Sequence, residues 1–217
     1  MGNGSWEQIY VEQGKIQIEV LDTVVEAVRR FKENGCTDIL DLGCGTGRHT
    51  LFLAAQGFHM HASDLSQTGV DMTRRLLEQS GSYPAEYSVQ NMYDLSFEDG
   101  RFDGVLCIWV QGHGIREEVR QGIHEIYRIL REGGTVVTDF VTTDDPTYGI
   151  GERIAENTFV GGRPGEEDIP HYYTTRDELA EMFAEFRTVQ LTDKVYEFTD
   201  MHGNEHQIIA ILVTAMK

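Results

Sequence analysis

Apolar positions along the chain fall into two rhythms that take turns. Residues 38–42 (Asp-Ile-Leu-Asp-Leu) read as a short buried strand, and residues 58–63 alternate apolar and polar before Asp64. Residues 85–89 form a weaker strand. Residues 102–110 form a strong one, because Gly104-Val105-Leu106-Cys107-Ile108 suits burial on both faces. Residues 135–141 make a fifth. Between them the spacing is helical. Leu21, Val24, Val28 and Phe31 predict a helix over about 14–31, closed by Asn34-Gly35. Further helices are expected over 48–56, over about 66–79 with Ser66 as N-cap, and over about 116–130. The last carries the stripe Ile115, Val119, Ile123, Ile126 and Leu130, and Gly133-Gly134 is expected to end it. Strands alternating with helices predict an α/β fold.

The rhythm then stops. Residues 142–173 show no sustained periodicity and are punctuated by Gly149, Gly151, Gly161, Gly162 and Gly165. A loop of this length inside a compact domain is expected to be functional or disordered. Thr175 and Glu178 predict a capping box for a helix to about residue 184. Residues 186–198 and 205–215 flank Gly203-Asn204 and predict an antiparallel hairpin.

The glycine turn brings in chemistry. Ile39-Leu40-Asp41-Leu42-Gly43-Cys44-Gly45-Thr46-Gly47-Arg48 runs from a strand through a glycine turn straight into a helix. Glycine lets backbone approach a ligand closely, and the helix start offers free N–H groups. Asp64, seventeen residues after Gly47, ends the next strand, where a carboxylate can accept hydrogen bonds from ribose hydroxyls. A nucleoside-containing ligand is expected.

Composition narrows the partners. At 217 residues, the chain is expected to be a single domain. Thirty-six acidic residues against 18 basic ones leave −18, a balance that disfavours nucleic acid and anionic membrane as partners. Cys36, Cys44 and Cys107 are odd in number and form no CxxC pair, so neither a disulfide framework nor a cysteine metal site is expected. His202 and His206 flank Gly203-Asn204, a turn rather than a metal-binding helix face, and no metal is assigned. No secretory or myristoylation signal is visible, Trp6 standing where the latter needs Ser or Thr. A cytoplasmic monomer or homodimer is expected.

The whole constellation resembles the class I S-adenosylmethionine-dependent methyltransferases. Asp41-Leu42-Gly43-Cys44-Gly45-Thr46-Gly47 is similar to their first motif, and Phe102-Asp103 and Leu130-Arg131-Glu132-Gly133-Gly134 to later ones; the likeness covers about 38–140. It implies a three-layer α/β sandwich with a seven-stranded, mostly parallel sheet of order 3-2-1-4-5-7-6, strand 7 antiparallel. It implies S-adenosylmethionine as cofactor and S-adenosylhomocysteine as product. By position, Asp41, Gly43, Cys44 and Gly45 would line the methionine part, Asp64 the ribose, and Leu65, Asn91 and Met92 the adenine. Backbone near Ile108 would meet the methionine ammonium. It also implies an N-terminal cover, about residues 1–34, bringing Trp6 and Tyr10 over the cofactor.

The expected reaction is methyl transfer to a small molecule. Aromatic faces at Trp6, Tyr10 and Trp109 suit a sulfonium or a cationic acceptor. His113 follows the fourth strand at the ligand-binding edge and is the first candidate base, and Asp139 lies near the end of the fifth. His171 is a second catalytic candidate. Trp109, His113, His171 and Tyr172 are the expected acceptor contacts, with residues 142–173 as a substrate-side insertion. Two other readings stay open. A nicotinamide oxidoreductase would share Asp64, but Arg48 replaces its third glycine. A cofactor-binding module without catalysis would lack an acceptor pocket near His113 and His171.

Overall fold

Five parallel strands form the spine: β1 (Asp38–Leu42), β2 (His59–Asp64), β3 (Ala85–Val89), β4 (Phe102–Cys107) and β5 (Leu130–Val141). This is a computed structural model, and it describes residues 4–14, 19–81, 83–163, 165–199 and 205–217. After β5 the chain builds a separate antiparallel sheet from β6 (Glu152–Ala155), β7 (Thr158–Val160) and β8 (His171–Tyr172). It returns as the hairpin β9 (Thr188–Thr199) and β10 (Glu205–Met216), with β10 antiparallel to β5. The large sheet runs β3-β2-β1-β4-β5-β10-β9. Counted without the three small strands, that is the expected 3-2-1-4-5-7-6. The expected turn at Gly203-Asn204, and His202 within it, lie outside the described residues.

Side-chain alternation explains the layers. Leu40, Leu42, Val105, Cys107, Val136 and Phe140 face one side, where α5 (Arg116–Ile129) and α6 (Arg176–Met182) cover them. Ile39, Leu106, Ile108 and Val137 face the other, against α2 (Asp22–Glu33), α3 (Arg48–Ala55) and α4 (Gln67–Gln79). Strands buried on both faces read as continuous apolar runs. Ser66 and the Thr175/Glu178 box cap α4 and α6 as expected. Among the described residues, no helix is long and apolar enough to cross a membrane.

Three expectations need correction. The helix placed over 14–31 begins at Asp22; a separate helix, α1 (Gly4–Gln13), precedes it and ends at Gly14, whose φ of +68° is a left-handed stop. Val24, Ala27, Val28 and Phe31 of α2 are buried in the core, so the N-terminal cover narrows from residues 1–34 to α1. The helix α5 stops at Ile129, because Leu130 is already extended (ψ 138°) and pairs with Phe102; Gly133-Gly134 lies in the strand instead. The insertion is ordered rather than a bare loop. Tyr172 N donates to Gly112 O at 2.9 Å and Thr174 N to Val141 O at 3.0 Å, so backbone bonds from the main domain replace local periodicity.

Candidate cofactor and acceptor site

The strand order reverses between β1 and β4. There the loops after the two strands part at the carboxyl edge of the sheet and open a crevice. The glycine turn occupies one wall. Gly43 N and Cys44 N both donate to Ser63 O, at 2.8 and 2.9 Å. Gly43 has φ +80°, and a Cβ there would sit 2.3 Å from a methyl of Val110. Gly47, the N-cap of α3, has φ +91°, and its Cβ would lie 2.9 Å from Thr73 Cα. Only glycine fits either position. Asp64 locks the turn: one carboxylate oxygen accepts from Gly45 N and the other from Ser66 N, both at 2.9 Å. Each oxygen keeps a second lone pair for a ligand hydroxyl.

The crevice is a cavity lined on the glycine side by Leu42 to Thr46, Arg48, His49, Asp64 and Leu65. Gln90, Asn91, Met92 and Tyr93 supply the far wall after β3, and Ile108, Trp109, Val110 and His113 the wall after β4. The roof is α1, through Trp6 and Tyr10, with Glu166 at one corner. The side chain of Glu7 seats α1. It accepts from Ser66 Oγ at 2.5 Å, from Thr68 N at 3.1 Å and from the Thr68 hydroxyl, all at the N-terminus of α4. These bonds hold its carboxyl below the usual range, as a helix N-terminus should.

Behind the wall lies a charged cluster. Trp109 has φ +62°, a strained conformation for a bulky residue, and its N–H donates to Asp139 Oδ1 at 2.7 Å. Arg48 lies over the indole at 5.1 Å, and Tyr196 packs edge-on against it. Burial pushes Asp139 up to about 6 and lowers Arg48 to about 10. Asp41 is also buried and pushed up to about 6, and it accepts from Thr50 Oγ1 at 2.5 Å.

The side beyond β4 is built from loops and the short strand β8. His113 follows β4, and its ring meets Trp6 at 5.0 Å and the edge of His171 at 5.1 Å. His171 Nε2 donates to Glu166 Oε2 at 2.7 Å. Burial, reinforced by the charges of His171 and Arg163, drives His113 down to about 3, so its imidazole is neutral at pH 7. Burial opposes ionisation of Glu166, yet the bond from His171 and the nearby positive groups bring it down to about 2.

Of the residues singled out in the sequence, Trp6, Tyr10, Gly43, Cys44, Gly45, Asp64, Leu65, Asn91, Met92, Ile108, Trp109 and His113 meet in this cavity. His171 stands directly behind His113. Asp41 does not line the cavity; it braces the glycine turn against α3. Asp139 likewise holds the Trp109 backbone from behind. Tyr172 is corrected outright as an acceptor contact. It is 1% exposed, packs in the core and donates its hydroxyl to Glu178 at 2.8 Å. Sequence reasoning missed Glu7, His49 and Glu166. Only His49 left a signal, as a polar residue in the first turn of the helix after the glycines.

A profile described as a methyltransferase domain matches residues 39–134. A demethylmenaquinone methyltransferase of Clavibacter sepedonicus is 38% identical over 101 residues, which is 46% of this chain and 39% of that one. The chain thus spans about two fifths of that relative's length. A methyltransferase structure from Methanosarcina mazei, titled as S-adenosylmethionine-dependent, superposes with a TM-score of 0.68 at 23% identity, covering 83% of this chain and 92% of that one. A Burkholderia thailandensis N-methyltransferase, solved with 1,6-didemethyltoxoflavin and S-adenosylhomocysteine, gives 0.60 at 20% identity, covering 90% and 78%. The cavity fits S-adenosylmethionine. Its floor is a glycine cradle that a Cβ would fill, and His49 Nε2 is buried without a hydrogen-bond partner. Residues 39–134 thus match a methyltransferase domain, and the chain shares the fold of S-adenosylmethionine-dependent methyltransferase structures.

Proposed function

We propose that this protein transfers the methyl group of S-adenosylmethionine to a small-molecule acceptor bound between the glycine turn and His113. One observation carries the reading: the cradle, Asp64 and the His113 corner share a single cavity roofed by α1. The chain's charge of −18 supports a small acceptor over nucleic acid. So do the small organic compounds in the names of two relatives.

The cofactor brings a methyl carbon already activated by positive sulfur, so the protein supplies alignment and a dry site. Asp64 would hold the ribose hydroxyls. Leu65, Asn91 and Met92 would flank the adenine. His49 and Arg48, in the first turn of α3, would take the carboxylate end, and the backbone near Ile108 the ammonium. Trp6 and Tyr10 exclude water from above. His113 presents a neutral imidazole, so it accepts a hydrogen bond from the acceptor's nucleophilic atom and orients it. His171 and Glu166 fix that imidazole from behind. The domain plan follows: one methyltransferase domain, a cover formed by α1, and a substrate-side insertion over 142–173.

Titration calorimetry with S-adenosylmethionine, S-adenosylhomocysteine and NAD tests the cofactor half. Binding of the first two without NAD is expected, and binding of NAD alone overturns the proposal. Release of S-adenosylhomocysteine across a panel of small hydroxyl, thiol, amine and carbon acceptors then tests the transfer.

A further inference from the structure

We propose that His113, Glu166 and His171 form a three-ligand site for a first-row divalent cation of the zinc or iron type, with its open position facing the acceptor half of the cavity. Binding of the cation stands on these residues alone; its role in catalysis rests on the methyl-transfer reading above.

The geometry makes the case. One donor atom from each of the three side chains can be chosen so that all lie within 4.8 Å of one another. In a zinc site with bonds of about 2.0–2.2 Å the ligand atoms stand roughly 3–3.5 Å apart, so small side-chain rotations close the set. His113 is far in sequence from Glu166 and His171, which stand five residues apart, and the insertion brings them together. His113 lies after β4, Glu166 in the insertion and His171 at the start of β8. Tyr172 N donates to Gly112 O at 2.9 Å, which pins the two histidine-bearing segments side by side. His113 and Glu166 line the cavity while His171 is buried behind them, so a cation held by all three meets the cavity on one side.

Donor chemistry selects the ion. Two imidazoles and one carboxylate suit zinc or iron, whereas magnesium and calcium prefer all-oxygen shells. Three protein ligands with a position left for water or substrate is the pattern of a catalytic rather than a structural zinc site. A cation at His171 Nε2 takes the place of the hydrogen now bonded to Glu166, and the ring then carries its one hydrogen on Nδ1. Arg163 is a competing positive charge, and it is paired with buried Asp145 at 3.4 Å. With the cation bound, the lone pair of His113 goes to the metal and no longer to the acceptor, and an acceptor hydroxyl or thiol at the open position would release its proton to water. Its lone pair would then form the bond to the methyl carbon as the carbon–sulfur pair leaves with sulfur.

The test uses the full, untagged chain, stripped with a chelator and titrated separately with Zn²⁺ and Mg²⁺. One Zn²⁺ per chain, with Mg²⁺ far weaker, is expected. His171→Ala and Glu166→Gln should each weaken Zn²⁺ binding by more than the roughly 10–100-fold that loss of an outer partner costs. Co²⁺ added to the unmodified protein should give visible d–d absorption, a reading that needs no variant to fold. Absence of Zn²⁺ binding by the unmodified chain overturns the proposal, as does unchanged affinity in both variants. S-adenosylmethionine calorimetry on the same samples separates the two readings: loss of cofactor binding in the unmodified chain sinks methyl transfer and leaves the metal result intact.

Discussion

The two halves of the cavity are made from different materials. The cofactor half is mostly backbone: a glycine turn between two parallel strands, fixed by Ser63 O and the two oxygens of Asp64. The half proposed for the acceptor is side chains on loops and on the short strand β8, with His113, Glu166 and His171 held by packing and by one another. Backbone geometry tolerates few substitutions, and side-chain geometry tolerates many. The first half therefore leaves its mark in the sequence as glycines, and the second is free to change with the side chains that line it.

The largest effect should come from breaking the backbone half. Gly43→Val puts a branched side chain at φ +80° and into Val110, and should abolish cofactor binding at a cost of about 3 kcal/mol or more in stability. Calorimetry and a denaturant melt would read both. A near-silent substitution would mean that the turn relaxes freely.

Beneath that half, Asp41 gives a pH signature. In the fold it keeps its proton up to about 6, against about 4 in an unfolded chain. Between pH 4 and 6 the unfolded chain therefore loses this proton first, and the contribution of Asp41 to stability falls as pH rises. Above pH 6 it is constant. Asp41→Asn removes this term. Relative to the variant, the unmodified protein should be about 3 kcal/mol more stable at pH 4 than at pH 7. Parallel stability curves for the two proteins across that window would refute the assignment.

The acceptor half should separate turnover from affinity. His113→Ala should lower kcat by about 100-fold or more while leaving S-adenosylmethionine affinity nearly unchanged. Equal losses in both would move His113 into the cofactor half. Asp64→Ala should do the reverse, weakening the cofactor by about 10–100-fold through lost hydrogen bonds to the ribose and a loosened turn. Calorimetry showing wild-type affinity would remove Asp64 from the ribose. The smallest effect belongs to Tyr172→Phe. It should cost about 1 kcal/mol of stability through the lost bond to Glu178, with KM for the acceptor unmoved. A raised KM would return Tyr172 to the acceptor pocket.

The same division decides what can be read from the chain. β1, β4 and β5 were legible because burial on both faces writes continuous apolar runs, and the glycine turn because its backbone angles demand glycine. Asp64 was legible by its spacing from that turn. The insertion was not, because its order comes from bonds such as Tyr172 N to Gly112 O, which join distant segments. Glu166 stands among Gly165, Glu167 and Asp168, and nothing local marks it as the partner of His171. Tyr172 misled for a related reason. Its place next to His171 suggested a shared role, but alternation along a strand sends neighbours to opposite sides.

The seat of α1 bears on how the cavity fills and empties. Ten residues are too few for a helix to persist in water without a surface to rest on. Release of Glu7 from Ser66 and Thr68 should therefore let α1 unwind as it lifts, which would make opening of the cavity a small folding transition. Exchange of cofactor and product should then carry the steep temperature dependence of local unfolding rather than the shallow one of diffusion. The same carboxylate that fastens the roof rests on the turn that Asp64 caps at Ser66, so a ribose bound by Asp64 also braces the roof above it.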